Sequence, residues 1–306
     1  MTGGPATAAR AADTLLNWAE LKDIELVVLK RMKEYAAGSH PSIFQGVGFN
    51  FVGLRDWQPG DRPSDIDWAQ STLTNFSPLV SREFEQEGTT SMMVVADTSR
   101  STRCGVGGVS IARVVARAVA TLGLAAAFFQ DQVGLVTLDG RTRRLAVRPR
   151  VGRNHAIHCI EQYQECVLEE PTQRMKRGGN LAGMLRRRSL VPVVSDFLFE
   201  DATTLIEELG QLGANHDVFL VLVDCAFAYQ LPDPSAGWVE AYDVETGQTQ
   251  LLSLRDRDQL VRDVRQWQDT VVETALRTGL ETVRLEPGSE HEVLSNFLGQ
   301  RRLRRR

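Results

Sequence analysis

The sequence lacks most of the features that would fix a function at once. Four cysteines in 306 residues (Cys104, Cys159, Cys166, Cys225) contain no C-x-x-C pair, which excludes a disulfide framework and leaves free buried thiols as the expectation. No apolar run is long: Val114 to Phe129 covers 16 positions and carries Arg117, too short and too charged to cross a bilayer. The amino end, MTGGPATAARAADT, has no signal-peptide core, so a cytoplasmic protein is expected. No G-x-x-x-x-G-K-[ST] is present, so the chain is not expected to hydrolyse ATP by itself, and there is no G-x-S-x-G or H-E-x-x-H.

What is present describes a folded, acidic chain. At 42% hydrophobic and 24% charged, it is neither disordered nor of low complexity. Its length fits two domains or one large α/β domain. The net charge of −4 conceals five arginines in the tail Gln300–Arg306, so residues 1–300 carry −9. An acidic body argues against nucleic acid as the main ligand. The tail is expected to be a solvated, frayed end, with RNA, an acidic partner or a membrane surface as the alternatives.

Residues 1–10 are small, with Gly and Pro, and read as disordered. From Ala11 to about Ala36, Leu15, Leu16, Trp18, Leu21, Ile24, Val27, Val28 and Met32 recur near helical spacing. Residues 42–88 hold short β-like runs at Phe49–Leu54 and Pro78–Phe84, a turn at Gln58-Pro59-Gly60-Asp61, and aromatics (Phe49, Phe51, Trp57, Trp68) expected to form a small core. Beyond Gly88, apolar runs at Ser91–Ala96, Val133–Leu138, Leu190–Val194 and Val218–Val223 alternate with helical stretches near 109–130, 155–167, 181–188 and 202–212. A helix near 255–278 and a strand at Glu281–Leu285 follow, and Trp238–Tyr242 with Gln250–Leu254 reads as a β-hairpin. Fully apolar strands between helices imply a parallel sheet covered on both faces. The expected fold is α/β: a doubly wound, mostly parallel, Rossmann-type sheet over about 89–292. An N-terminal helix and β extension (11–88) precede it, and a basic tail (293–306) follows.

Ligands of such a sheet bind where strands end at the carboxyl edge. Two strands end in acids there. Ser91–Ala96 runs into Asp97-Thr98-Ser99-Arg100-Ser101, and Leu190–Val194 runs into Ser195-Asp196. Asp97, Ser99 and Ser101, joined by Asp196, form a hard oxygen donor set suited to Mg²⁺, with Ca²⁺ and Mn²⁺ as alternatives. Spacing alone does not separate this reading from one in which Asp97 and Ser99 merely cap turns and a helix.

The run Gly46-Val47-Gly48 through Leu54-Arg55-Asp56-Trp57-Gln58-Pro59-Gly60-Asp61, then Asp65-Ile66-Asp67-Trp68, then Arg82-Glu83-Phe84-Glu85, resembles the bacterial and archaeal family called domain of unknown function 58. Asp97, Ser99 and Ser101 match its D-x-S-x-S, Ser195-Asp196-Phe197 its S-D-F, and Asp243-Val244-Glu245-Thr246-Gly247 its late D-x-E-T-G. The resemblance covers about Leu15 to Leu298. It implies a von Willebrand factor A-like domain with a metal-ion-dependent adhesion site, in which serines contact the ion, acids act directly or through water, and a partner's acid completes the shell. It also implies a non-enzymatic, chaperone-like adaptor working with a MoxR-type AAA+ ATPase or that ATPase's client. The family's later threonine ligand falls at Gly179 here, removing one hydroxyl and leaving Asn180 as its substitute. Asn50, Trp57 and Asp65 also depart from the family pattern.

Other motifs are weighed and set below this one. Gly105-Val106-Gly107-Gly108 lacks the third glycine of a dinucleotide loop. Asp97-Thr98-Ser99 lacks the second acid of an aspartyl phosphatase. His155, His158 and Cys159 share a helix but want further zinc ligands. Asp61, Asp65 and Asp67 are expected to stabilise turns rather than bind Ca²⁺. A metal-dependent hydrolase using the same acids, and a scaffold with a degenerate metal site, remain the alternatives to the adaptor.

Overall fold

The computed structural model describes residues 14–38, 50–85 (except 60 and 62), 90–168 (except 141), 183, 185, 187–229, 238–242 and 249–304. The chain divides into two compact units, residues 36–89 and the remainder. The larger unit carries a six-stranded sheet. Its strands are β3 (Ser91–Asp97), β6 (Gln132–Asp139), β7 (Thr142–Val151), β8 (Ser189–Ser195), β9 (Asp217–Val223) and β12 (Glu281–Leu285), in the spatial order β12-β9-β8-β3-β6-β7. Every neighbouring pair is parallel except β6 with β7. The mixed α/β fold with a mostly parallel sheet therefore stands.

Alternate side chains of the sheet enter different cores, as strands buried on both faces require. Met92, Val94 and Ala96 of β3, with Phe219, Val221 and Val223 of β9, face one apolar layer. Met93, Val95, Leu220 and Leu222 face the other. The first layer is covered by α1 (Trp18–Gly38), α3 (Ile111–Phe128), α4 (Arg153–Leu168) and α7 (Glu290–Arg304), and the second by α5 (Ala202–Leu212) and α6 (Leu254–Arg277). Helix α3, with 18 residues, is long and apolar enough to cross a membrane, contrary to the reading of its apolar run as too short and too charged, but 83% of it is buried inside this fold. Its Val114, Val115, Ala118 and Leu122 pack into the first core.

Two domain boundaries drawn from sequence are corrected. The N-terminal helix belongs to the sheet unit rather than to the β extension. Its Leu21, Ile24, Val28 and Met32 are buried in the first core, each contributing about 1.5–3 kcal/mol. Asn17 and Glu20 cap its start reciprocally, Asn17 N–H donating to Glu20 Oε2 (3.1 Å) and Glu20 N–H to Asn17 Oδ1 (2.9 Å). The basic tail, expected to fray, continues α7 as far as Arg304. Leu294 and Leu298, four apart on one helix face, bury against the sheet layer. Arg301 pairs with Asp217 and Glu281 and lies over the rings of Phe219 (4.9 Å) and Phe297 (5.3 Å).

The smaller unit pairs β1 (Asn50–Asp56) antiparallel with β2 (Val80–Glu85), and carries the short helix α2 (Trp68–Leu73). Arg55 grips Asp61 through two bonds of 2.7 Å, Asp67 caps α2 by accepting from Gln70 N–H, and Arg82 pairs with Asp67. Asp61 and Asp67 thus stabilise turns, and Arg55, followed by Gln58 N–H, holds the Asp61 carboxyl below the usual range. The expected aromatic core is corrected at Trp68, which is 58% exposed. Ile66 is buried in its stead. The β-hairpin reappears as β10 (Trp238–Tyr242) and β11 (Thr249–Ser253). Residues 243–248, and most of the helix expected over 181–188, lie outside the described residues.

Candidate functional site

The chain leaves β3 through α3 to reach β6 on one side, then returns through α4 to β8 on the other side of β3. The crevice between the carboxyl ends of β3 and β8 is therefore the point where strand order reverses, the place such sheets reserve for ligands. Asp97 ends β3, and Asp196 follows directly after β8. Both acids are buried, as are Ser99, Ser101 and Ser195.

Each acid spends one oxygen on its own loop. Asp97 Oδ1 accepts from Ser99 N–H (2.7 Å), and Asp196 Oδ1 accepts from Leu198 N–H (3.0 Å). A third strand end repeats the device: Asp224, just after β9, accepts from Ala226 N–H (3.0 Å). The capping reading left open by the spacing is realised at Asp97 but not at Ser99, whose side chain makes no cap bond; the same turn recurs at the other two strand ends. It does not account for the second oxygens. Asp97 Oδ2 accepts from Ser195 Oγ at 2.5 Å, and Ser195 Oγ accepts in turn from Phe197 N–H at 2.8 Å. Ser195 thereby ties the two strand ends together.

Asp196 Oδ2 is buried and has no hydrogen-bond partner among the described residues. A buried, unmatched carboxylate oxygen costs about 1–3 kcal/mol or more. Burial, and then the Asp97 charge, push the Asp196 carboxyl up to about 7, while Leu198 N–H and the nearby Ser101 hydroxyl restrain it. Asp97 is also raised, by burial first and by the Asp139 charge, against the bonds from Ser195 and Ser99. The hydroxyls of Ser99 and Ser101 meet at 2.9 Å, so both converge on one spot. A one-turn 3₁₀ segment, Arg100–Arg103, sets this spacing, with the Thr102 N–H and hydroxyl both donating to Ser99 O.

The sequence reading missed the residues that hold these loops. Tyr163 of α4, fully buried, donates its hydroxyl to Asp97 O at 3.0 Å. Trp267 and Gln268 of α6 take adjacent carbonyls of the other loop: Trp267 Nε1–H donates to Phe197 O (2.7 Å), and Gln268 Nε2–H to Asp196 O (3.3 Å) and Val223 O (2.7 Å). Phe197 itself sits in the left-handed region at φ 55°, a strained conformation for a bulky residue. No local signal marks Trp267 or Gln268, since the contact spans some 70 residues of chain. Ser195 was visible as part of the S-D-F triplet but not as a bridge.

Gly179 and Asn180, the expected metal-loop contributors, lie outside the described residues. The glycine run 105–108 is a turn between β4 (Gly105–Val106) and β5 (Val109–Ser110), with Gly107 and Gly108 at φ 62° and 80°, and Ser110 caps α3. The His155 ring bonds Arg148 O, and burial pushes the Cys159 thiol up to about 12. Among the described residues no three His, Cys, Asp or Glu side chains cluster. The donor set at the crevice is instead two carboxylates and two hydroxyls, hard ligands of the type that binds Mg²⁺. One carboxylate oxygen lacks a partner among the described residues, and the residues fit such an ion.

Fold and crevice together define an α/β protein with an oxygen-lined site at its strand-order reversal. Over residues 53–271 the chain matches the model of the family described as "Protein of unknown function DUF58", and it belongs to that family. It is 24% identical over 252 residues to the uncharacterized proteins Rv1480 of Mycobacterium tuberculosis H37Rv and Mb1516 of Mycobacterium bovis, covering 80% of this chain and 75% of theirs. Among solved structures, BatB from Bacteroides thetaiotaomicron superposes with a TM-score of 0.42 at 14% identity, over 70% of this chain and 98% of that one. An aerotolerance-related membrane protein from Bacteroides fragilis NCTC 9343, carrying multiple mutations to serine, gives 0.44 at 13% identity, over 69% and 97%.

Proposed function

We propose that this protein is a cytoplasmic, non-enzymatic adaptor of von Willebrand factor A-like fold. Its crevice holds Mg²⁺ through Ser99, Ser101 and Asp196, with Asp97 acting directly or through water. The observation that carries this reading is Asp196 Oδ2, a buried oxygen with no hydrogen-bond partner among the described residues, in a carboxyl that the Ser101 hydroxyl reaches, a hydroxyl that in turn meets that of Ser99. A cation there would neutralise the paired acids and leave a coordination position for an acidic side chain of a partner. The hydrogen bonds of Asp97 and Asp196 come from serines and backbone N–H groups, none from a histidine or lysine among the described residues. The non-enzymatic reading rests on the family resemblance, since a carboxyl raised to about 7 could itself act as a general base. By family resemblance the partner is a MoxR-type AAA+ ATPase or its client.

Titration calorimetry should detect Mg²⁺ binding to the wild type and lose it in Asp97→Ala. Ser101→Ala, which removes one donor together with its bond to Ser99, should weaken binding without unfolding the chain. Capture of the ATPase should then fail in EDTA. Equal heats in all three proteins would remove the ion from the account, and capture insensitive to EDTA would favour the scaffold alternative.

A further inference from the structure

Charge is distributed very unevenly along this chain. From Gly140 to Ile160 there are six arginines, two histidines and no aspartate or glutamate, which leaves the other 285 residues at −10. The stretch forms β7 and the start of α4, and β7 is the outermost strand of the sheet. Its ten residues extend roughly 33 Å. Arg148 and Arg150 are exposed, and Arg143 and Arg144 are half-buried farther along the strand. Arg153 at the strand's end is tied to Glu25 of α1.

The edge is shaped against pairing with its own kind. Two bulges break its register with β6, between Val133 and Leu135 and between Thr137 and Leu138. The first brings Pro149 close to Gly134, where an added Cβ would lie 2.8 Å from Val147 O and 2.9 Å from Pro149 N. Bulges, proline and like charges keep an edge strand from self-association, so recognition falls to the arginine side chains.

We propose that the β7 edge is a docking strip for an acidic, extended segment of a partner protein. Guanidinium groups spaced along a strand match carboxylates through paired N–H···O bonds. Nucleic acid fits less well: no Phe, Tyr or Trp occurs between 140 and 160 to stack a base, and the −10 remainder repels phosphate. Arg150 pairs with Val133 at the amino end of β6, the opposite end from the crevice, so this inference does not rest on the metal.

The test is fluorescence anisotropy on the full chain in EDTA, which disables the crevice site. The probe is a fluorescein-labelled decapeptide of alternating Glu and Val. Binding should be saturable, weaken as salt rises, and fall at least about tenfold in Arg148→Glu/Arg150→Glu. A Lys/Val decapeptide should not bind. Binding unchanged by the charge reversal, or absent in the wild type, would overturn the proposal. So would tighter binding of a 20-nucleotide single strand or of phosphatidylserine vesicles, or a charge-reversed chain that changes its sedimentation instead of its peptide affinity.

Discussion

Replacing Asp196 by asparagine should stabilise the metal-free protein, and by an amount that depends on pH. An unfolded aspartate titrates near 3.9, whereas burial and the neighbouring Asp97 raise Asp196 to about 7 in the fold. Between those values the folded chain holds a proton that the unfolded chain has released. Stability therefore falls as pH rises from about 4 to about 7 and is flat above. The difference of about 3 units corresponds to a ceiling of about 4 kcal/mol. Asparagine's amide hydrogens need acceptors where Ser99 and Ser101 already share a bond, which lowers the expected gain to about 2–3 kcal/mol. Urea unfolding in EDTA, followed by circular dichroism, should show that gain at pH 8. At pH 4.5 the gap should shrink below about 1 kcal/mol. Excess Mg²⁺ should restore the wild type but not the variant. A variant equally destabilised at both pH values would refute the claim that an unpaired carboxylate strains this crevice.

Three further outcomes follow from the contacts. Gln268→Leu removes the donor to Asp196 O and Val223 O; it should weaken Mg²⁺ binding about tenfold in calorimetry, in the range typical of supporting residues behind metal ligands, while the chain stays folded. Arg301→Ala breaks the ties of α7 to Asp217 and Glu281 and its contact with Phe219; it should cost about 2–3 kcal/mol in thermal unfolding. Glu25→Gln should lower the thermal midpoint at pH 7 and lower it progressively less in acid, because Arg153 holds the Glu25 carboxyl below its usual range and that contribution disappears as pH falls through the lowered value.

The central strands were legible because burial on both faces writes itself as uninterrupted apolar runs: Ser91–Ala96, Leu190–Val194 and Val218–Val223 each fall within one residue of the observed strand. The amphipathic helix Ala202–Leu212 and the edge strand Glu281–Leu285 were also bounded correctly. Strand β7 was not legible, since four arginines (Arg143, Arg144, Arg148 and Arg150) interrupt the short alternation of Leu145, Val147 and Val151. Helix α7 was hidden for a related reason. Its two buried leucines are outnumbered by arginines, and only tertiary pairing turns Arg301 into an anchor. The aromatics of the smaller unit misled, because aromatic content reports burial only on average and Trp68 is exposed. At the crevice, the oxygen donors announced themselves through strand-end position and spacing. Their supports did not: Tyr163, Trp267 and Gln268 reach the loops from distant helices. Asp224 was missed as a third capped strand end.

The central claim is that β3 and β8 deliver oxygen donors to one cation. Crystals soaked in Mn²⁺ and measured at the manganese absorption edge test this most directly. The account predicts a single anomalous peak bounded by the Ser99 and Ser101 hydroxyls and Asp196 Oδ2. A crevice without manganese, or a peak elsewhere with Asp196 unmoved, would contradict it.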